Sequence, residues 1–191
     1  MRKTISIVIP VFNEEENLRE FYTRLTKVMS EVSYDYDIIF VDDGSRDASS
    51  AILYDLSQND EHVQAYLLSR NFGHQMALTC GLDHAEGDAV ITMDGDLQHP
   101  PELIPELLGL WEAGYEIVQT VRKDTADASK FKKITSSTYY KLINKMSKVH
   151  ITPGGSDFRL MDRVAIEALR LYNERARFIR GLVNNLGFKL T

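Results

Sequence analysis

The chain has 191 residues, 43% hydrophobic and 26% charged, with a net charge of −6 at pH 7. That length suits one ordinary domain with a real core, and the composition excludes a disordered or fibrous chain. A lone cysteine, Cys80, excludes an internal disulfide and fits a reducing compartment. After Met1–Thr4 an apolar run ends at Phe12, too short to cross a bilayer and without the small-residue cleavage site of a signal peptide. No later run approaches the roughly 20 apolar residues of a membrane-crossing helix. The charge is divided: residues 1–120 hold 7 Lys/Arg against 22 Asp/Glu, and residues 121–191 hold 15 against 6. Such a division suggests one surface that tolerates cations and another that attracts anions, with undirected drift of surface charge as the plainer reading.

In chain order, Ile5–Val11 is apolar on both faces and predicts a buried strand. Leu18, Phe21, Tyr22, Leu25, Val28, Met29 and Val32 then recur at helical spacing. Asp37–Val41 predicts the second strand, Ala48–Gln58 a helix and Val63–Leu68 the third strand. Gln75–His84 reads as a short helix and Ala89–Met93 as the fourth strand. Pro100 and Pro101 open the next helix, which buries Leu103, Ile104, Leu107, Leu108 and Trp111. Glu116–Val121 predicts a fifth strand. Beyond it come a long helix over about Ala128–Val149, a Gly154–Gly155 break, a polar segment Ser156–Arg159 and a helix from Arg163 to about Tyr172. A basic, aromatic cluster Arg175–Gly181 and a strand-like end Phe188–Thr191 complete the chain. No repeat, low-complexity tract or linker marks a boundary, so residues 1–191 read as a single domain.

Strand and helix in alternation imply a largely parallel sheet between helical layers, and ligands bind such sheets beyond the carboxyl ends of their strands. Three strands run directly into polar clusters: Asn13–Glu14, Asp42–Asp43–Gly44–Ser45 and Asp94–Gly95–Asp96. All three should converge on one sheet edge. Two carboxylates a residue apart repel each other unless a cation lies between them, and Gly95 leaves room for close approach. Magnesium takes oxygen ligands while keeping positions for phosphate oxygens, and would neutralise a diphosphate leaving group. Taken singly, each cluster also reads as turn or capping chemistry. Their shared edge favours a site.

Several strings carry a resemblance: Pro10–Glu15, Val41–Asp47, Arg70–Gly73, Met93–Glu102, Ser156–Leu160 and Arg177–Gly181. They resemble the inverting family 2 glycosyltransferases of GT-A fold over residues 4–188. The longer match is similar to the polyprenyl-phosphate branch, which includes dolichyl-phosphate mannose synthase and bacterial undecaprenyl-phosphate glucosyltransferases. The resemblance implies a Rossmann-like, mostly parallel central sheet flanked by helices, with a helical, basic C-terminal part. It implies a sugar moved from a nucleotide-diphosphate sugar, UDP-glucose favoured, to a polyprenyl phosphate, with Mg²⁺ or Mn²⁺ as cofactor. Pro10, Phe12, Asn13, Glu14 and Asp42 would line the nucleotide pocket, Asp42 near the base and ribose. Asp94 and Asp96, joined by Gln98, would hold the metal, Asp96 being counted with the catalytic residues.

By the same resemblance Arg122 reaches a donor or acceptor phosphate, and Arg70 contacts the sugar or braces a loop. Asp157 takes a base or acceptor-positioning role. A lipid phosphate is already anionic near neutral pH and needs cationic guidance more than deprotonation; Arg159, Arg175, Arg177 and Arg180 are the candidates. Asp157 is therefore expected to orient these arginines or the acceptor as much as to act as a base. Lys133, Lys141, Lys145 and Lys148 suit a helix against anionic headgroups, each contributing on the order of 1 kcal/mol, and equally a solvated face. Lys123–Lys130 lacks a second arginine often present in the resembling proteins, which leaves local phosphate contacts open. In those proteins two transmembrane helices follow the catalytic domain. The expectation is thus a soluble piece of a membrane-anchored protein working at the cytoplasmic face, with no nucleic-acid partner and homo-oligomerisation undecided.

Competing chemistries lack their signatures. A nucleotidyltransferase would open with a Gly-rich basic loop, yet Pro10–Asn17 holds no glycine. A haloacid-dehalogenase-type phosphatase would need Thr where Gln98 stands, and a Rossmann dehydrogenase needs G-x-G-x-x-G after its first strand. A transferase acting on a saccharide hydroxyl, or a silent nucleotide-sugar-binding protein, stays open as the alternative.

Overall fold

The computed structural model of the protein describes residues 2–121, 155–172, 174 and 177–191. Strand β1 (Thr4–Val11) is followed by helix α1 (Leu18–Glu31), β2 (Asp35–Asp42), α2 (Ser49–Asn59), β3 (Val63–Leu67), α3 (His74–His84) and β4 (Ala89–Thr92). A 3₁₀ turn (Pro101–Leu103) leads into α4 (Ile104–Glu112), then β5 (Ile117–Val121), β6 (Gly155–Asp162), α5 (Arg163–Arg170) and α6 (Ile179–Asn185). The six strands form one sheet in the order β3-β2-β1-β4-β6-β5. β3, β2, β1 and β4 run parallel, while β6 is antiparallel to both its neighbours, β4 and β5.

Both sheet faces are covered, which is why the strands read as continuous apolar runs. Ile5, Ile7 and Ile9 of β1 face a layer built by Phe21 and Leu25 of α1, Leu53 of α2 and Leu107 and Trp111 of α4. Val8 faces the opposite layer, where Leu78 and Leu82 of α3, Ile166 and Leu169 of α5 and Val183 of α6 pack. Two sequence expectations change. The polar segment Ser156–Arg159 lies inside β6, wedged between the fourth and fifth strands. Its alternation explains this: Phe158 and Leu160 enter one core and Met161 the other. The basic cluster after Arg177 runs into α6, whose Ile179 and Val183 sit one turn apart and are buried. The C-terminal end does extend the sheet edge, with Leu190 bridging Ile117 in parallel. The long helix expected over 128–149, its lysine stripe and Arg175 lie outside the described residues.

Near the start of β2 a half-buried carboxylate is out of place energetically. Asp37 receives a hydrogen bond from the Ser6 hydroxyl (2.8 Å), yet burial, helped by nearby Glu86, pushes its pKa above 3.8. A carboxyl whose folded pKa is raised contributes stability below its unfolded pKa, and that contribution is lost as pH rises through the folded value. Asp37→Asn keeps an acceptor for Ser6 and removes the charge. Thermal melts should show the variant more stable than wild type at pH 7.5, with the difference vanishing near pH 3.

Candidate active site

β1, β2 and β4 run parallel with Val11 opposite Asp42 and Val8 opposite Thr92, so the three following loops leave one edge of the sheet. They surround a cleft of about 290 Å³. Pro10 and Val11 line it from the end of β1, Phe12 and Glu14 from the first loop, Asp43 from the second, and Asp94, Gly95 and Asp96 from the third. Asn71, Gly73 and His74, at the entry to α3, close another side.

The first two loops are knitted by backbone-to-side-chain bonds. Asn13 N–H donates to Ser45 Oγ (2.9 Å), and Arg46 N–H donates back to Asn13 Oδ1 (2.8 Å). Asn13 holds a left-handed backbone (φ 55°), which asparagine tolerates better than most residues. Glu14 N–H donates to Ser49 Oγ (2.9 Å), and the Glu15 carboxylate accepts from Ala48 N–H (2.7 Å). Asn13 thus braces the rim without lining the cleft.

The adjacent aspartates of the second loop divide their work. Asp42 is 1% exposed and turned inward. It accepts from Ser45 N–H (2.9 Å), the Ser45 hydroxyl (2.5 Å) and the Ser50 hydroxyl, so it shapes the turn and does not line the cleft. Asp43 does. Its two oxygens accept from Phe72 N–H (2.7 Å) and Gly73 N–H (2.9 Å), pulling the loop before α3 against the second loop. A Cβ on Gly44 would lie 2.4 Å from the Arg70 carbonyl carbon, and Gly44 has φ +70°, so only glycine allows this approach. Arg70 stacks over Phe72 at 4.0 Å and donates to Asn71 O (3.2 Å) within its own loop.

In the third loop Asp94 Oδ1 lies 2.8 Å from His74 Nε2. That hydrogen bond raises the His74 pKa, against the opposing effect of burial, and favours a cation beside Asp94. Asp94 N–H donates to His99 Nδ1 (3.0 Å). Asp96 accepts from Gln98 N–H (3.0 Å), while Gln98 itself is exposed and does not line the cleft. Among the described residues no three His, Cys, Asp or Glu side chains form a metal cage. Asp94 and Asp96, with no third ligand grouped with them among the described residues, fit a hard cation that takes its other oxygens from water and phosphate.

Beside the cleft, β6 and α6 assemble a second cluster. The Asp157 carboxylate meets Arg159 Nη2 (2.9 Å) through one oxygen and Arg180 Nη2 (2.8 Å) through the other. The Thr92 hydroxyl donates to the Asp157 carbonyl (2.5 Å), tying the cluster to β4. Arg159 is 1% exposed, and burial pushes its pKa down to about 10. Among the described residues its Nε and Nη1 have no hydrogen-bond partner, nor has the side-chain amide of Gln119, the residue paired with it on β5. One carboxylate against two guanidinium groups leaves a net positive charge, and buried donors without acceptors favour an anion. The charges of Asp157 and Arg180 both act on His74, so the acidic and cationic clusters are electrostatic neighbours. Arg177 is elsewhere: it pairs with Asp83 (2.8 Å) and donates to Tyr172 O (2.9 Å), which ties it to the end of α3. Arg122 lies outside the described residues. Asp43, His74 and His99 were not singled out from the sequence.

A sheet with this strand order and an acidic cleft at the carboxyl edge of its parallel strands defines a GT-A glycosyltransferase domain. The mannosyltransferase PcManGT from Pyrobaculum calidifontis, solved in complex with GDP-Man and Mn²⁺, superposes with a TM-score of 0.65 at 16% identity, over 100% of this chain and 54% of that one. The chain belongs to Glycosyl transferase family 2, whose profile matches residues 6–170. It is 45% identical to the uncharacterized glycosyltransferase YkcC of Bacillus subtilis, over 97% of this chain and 58% of that protein. It is 42% identical to the bactoprenol glucosyl transferase of Shigella phage SfV, over 96% of this chain and 60% of that protein. The chain therefore spans about three fifths of the length of these curated relatives.

Proposed function

We propose that the protein transfers a sugar, glucose from UDP-glucose in the favoured case, to a polyprenyl phosphate with inversion at the anomeric carbon. The observation that carries this reading is the acidic cleft at one sheet edge beside a buried, net-positive Asp157–Arg159–Arg180 cluster. The 42% identity to a bactoprenol glucosyl transferase supports both the sugar and the lipid class. Pro10, Phe12 and Glu14 hold the nucleoside, with Asp43 lining the cleft beside them and Asp42 shaping the turn behind. Asp94 and Asp96 would hold Mg²⁺ or Mn²⁺, which when bound supplies positive charge to the diphosphate leaving group. Arg180 and Arg159 draw the acceptor phosphate toward the donor. A phosphate oxygen then forms the new bond to the anomeric carbon while the bond to the UDP oxygen breaks. The acceptor arrives ionised, so no side chain has to remove a proton.

No helix among the described residues is long and apolar enough to cross a membrane. Access to a lipid acceptor at the cytoplasmic face, and residues 1–191 as one catalytic domain, are parts of this same proposal. The test supplies UDP-glucose, a short polyprenyl phosphate and Mn²⁺ in detergent. Glucosyl lipid and UDP should appear in equal amounts, chelation by EDTA should stop both, and Mn²⁺ or Mg²⁺ should restore them. Sugar appearing only on a saccharide hydroxyl would replace the lipid reading.

A further inference from the structure

We propose that His99 is a positioning residue that locks the acidic donor loop to the strand carrying Asp157, an inference that rests on the transfer reaction above. His99 is 3% exposed and lies five residues beyond Asp94, after a reversal in which Leu97 takes φ 61°. An Nδ1 that accepts the Asp94 N–H (3.0 Å) leaves the ring proton on Nε2, and the same Nδ1 lies 3.4 Å from the Asp94 carboxylate. Nε2 then donates to Ser156 Oγ at 2.7 Å. Ser156 in turn accepts Phe158 N–H (3.1 Å), and the Phe158 ring packs on the imidazole at 5.5 Å between centroids. Residues 57 positions apart in the chain are thereby joined through one buried ring.

Filling space does not require this arrangement. An apolar side chain would fill the same volume without two satisfied polar contacts, and an imperfectly paired buried ring is costly. What the ring adds is a fixed spacing between two half-sites. Asp94 and Asp96 belong to the donor side. Ser156 directly precedes Asp157, which holds Arg159 and Arg180 on the acceptor side. Displacement at the anomeric carbon needs the attacking oxygen and that carbon aligned at roughly 3–3.5 Å, and a 1 Å misplacement costs about a hundredfold in rate. A ring bonded to both sides controls that alignment without touching the substrate.

Variants that keep one end of the bridge test the idea. The amide oxygen of His99→Asn stands where Nδ1 accepts from Asp94, while the amide of His99→Gln reaches toward Ser156; Ser156→Ala removes the far end. In the intact chain each variant should bind UDP-glucose with Mn²⁺ within about threefold of wild type, whereas kcat falls about tenfold to a hundredfold. Ser156→Ala should cost almost nothing further in the His99→Asn background, since both break one bridge. Additive losses, an equal fall in donor affinity, or a kcat deficit that disappears where the variant is fully folded would each overturn the proposal. Two readouts need no activity. In wild type the ¹⁵N signals of His99 should be those of the Nε2-protonated tautomer, and Ser156→Ala should accelerate hydrogen exchange at the Asp94 amide. If wild type glucosylates no polyprenyl phosphate, the functional reading fails by itself. The bridge is then judged by these two measurements, and a Nδ1-protonated ring or unchanged Asp94 exchange would sink it.

Discussion

Asp96→Asn is expected to lower kcat/KM for sugar transfer by about a thousandfold, the upper range for losing a group that stabilises developing charge. At room temperature this corresponds to about 4 kcal/mol of transition-state stabilisation. The fold should hardly notice. Asp96 is partly exposed in the cleft, and its carboxylate accepts one loop bond, from Gln98 N–H, which an amide oxygen can keep. Stability should therefore stay within about 0.5 kcal/mol of wild type. The variant should also lose the extra thermal stabilisation that Mn²⁺ gives in the presence of UDP-glucose, because a ligand that no longer binds the folded state no longer shifts its melting. Turnover within tenfold of wild type, with an unchanged response to Mn²⁺, would take Asp96 out of the metal-holding pair. Asp94 is a less clean probe. Its side chain also engages His74, so a change there mixes loss of charge with release of a neighbouring ring.

The contrast between these aspartates shows what could and could not be read from the chain. β1, β2 and β4 are runs of apolar residues ending abruptly in Asn, Asp or Gly, and that signal is local. It located the three loops and their common edge. β6 was harder because its first residues are polar, although Phe158 and Leu160 already alternate with Arg159 and Met161 at strand period. What no local pattern carries is its place: an antiparallel strand between β4 and β5 is decided by packing on both neighbours. α6 was hidden by its basic composition, since Ile179 and Val183 supply too short an apolar stripe to stand out. The choice between Asp42 and Asp43 turned on which way a turn points, and that depends on Gly44 and on a loop some thirty residues later. His99 sat within the string that carried the resemblance, but its partner Ser156 is distant in sequence and nothing in the spacing joins them.

The second large effect concerns Asp157, where stability and catalysis can be pulled apart. Its carboxylate faces a wholly buried guanidinium, Arg159, and a half-exposed one, Arg180. Asp157→Ala leaves Arg159 buried without its counter-charge, and breaking a buried pair from one side costs about 3–5 kcal/mol. For a chain of this size that is a fall in Tm of about 10 °C. Asp157→Asn keeps an oxygen for Arg159 and should lose less. A general base would contribute about a hundredfold or more, so its loss should cut kcat by at least that factor even where the variant is folded. With an already ionised phosphate acceptor we expect Asp157→Asn to stay within about tenfold of wild type, because both carboxylate oxygens are already engaged in holding arginines. Removing both charges is the sharper comparison. Asp157→Leu combined with Arg159→Met should recover most of the lost stability, as apolar replacements of buried pairs commonly do, while transfer to polyprenyl phosphate is lost with the buried cation. Recovery of stability together with activity would mean that the buried cation serves only the fold, and the acceptor phosphate would then have to be held by Arg180 or by residues beyond β5.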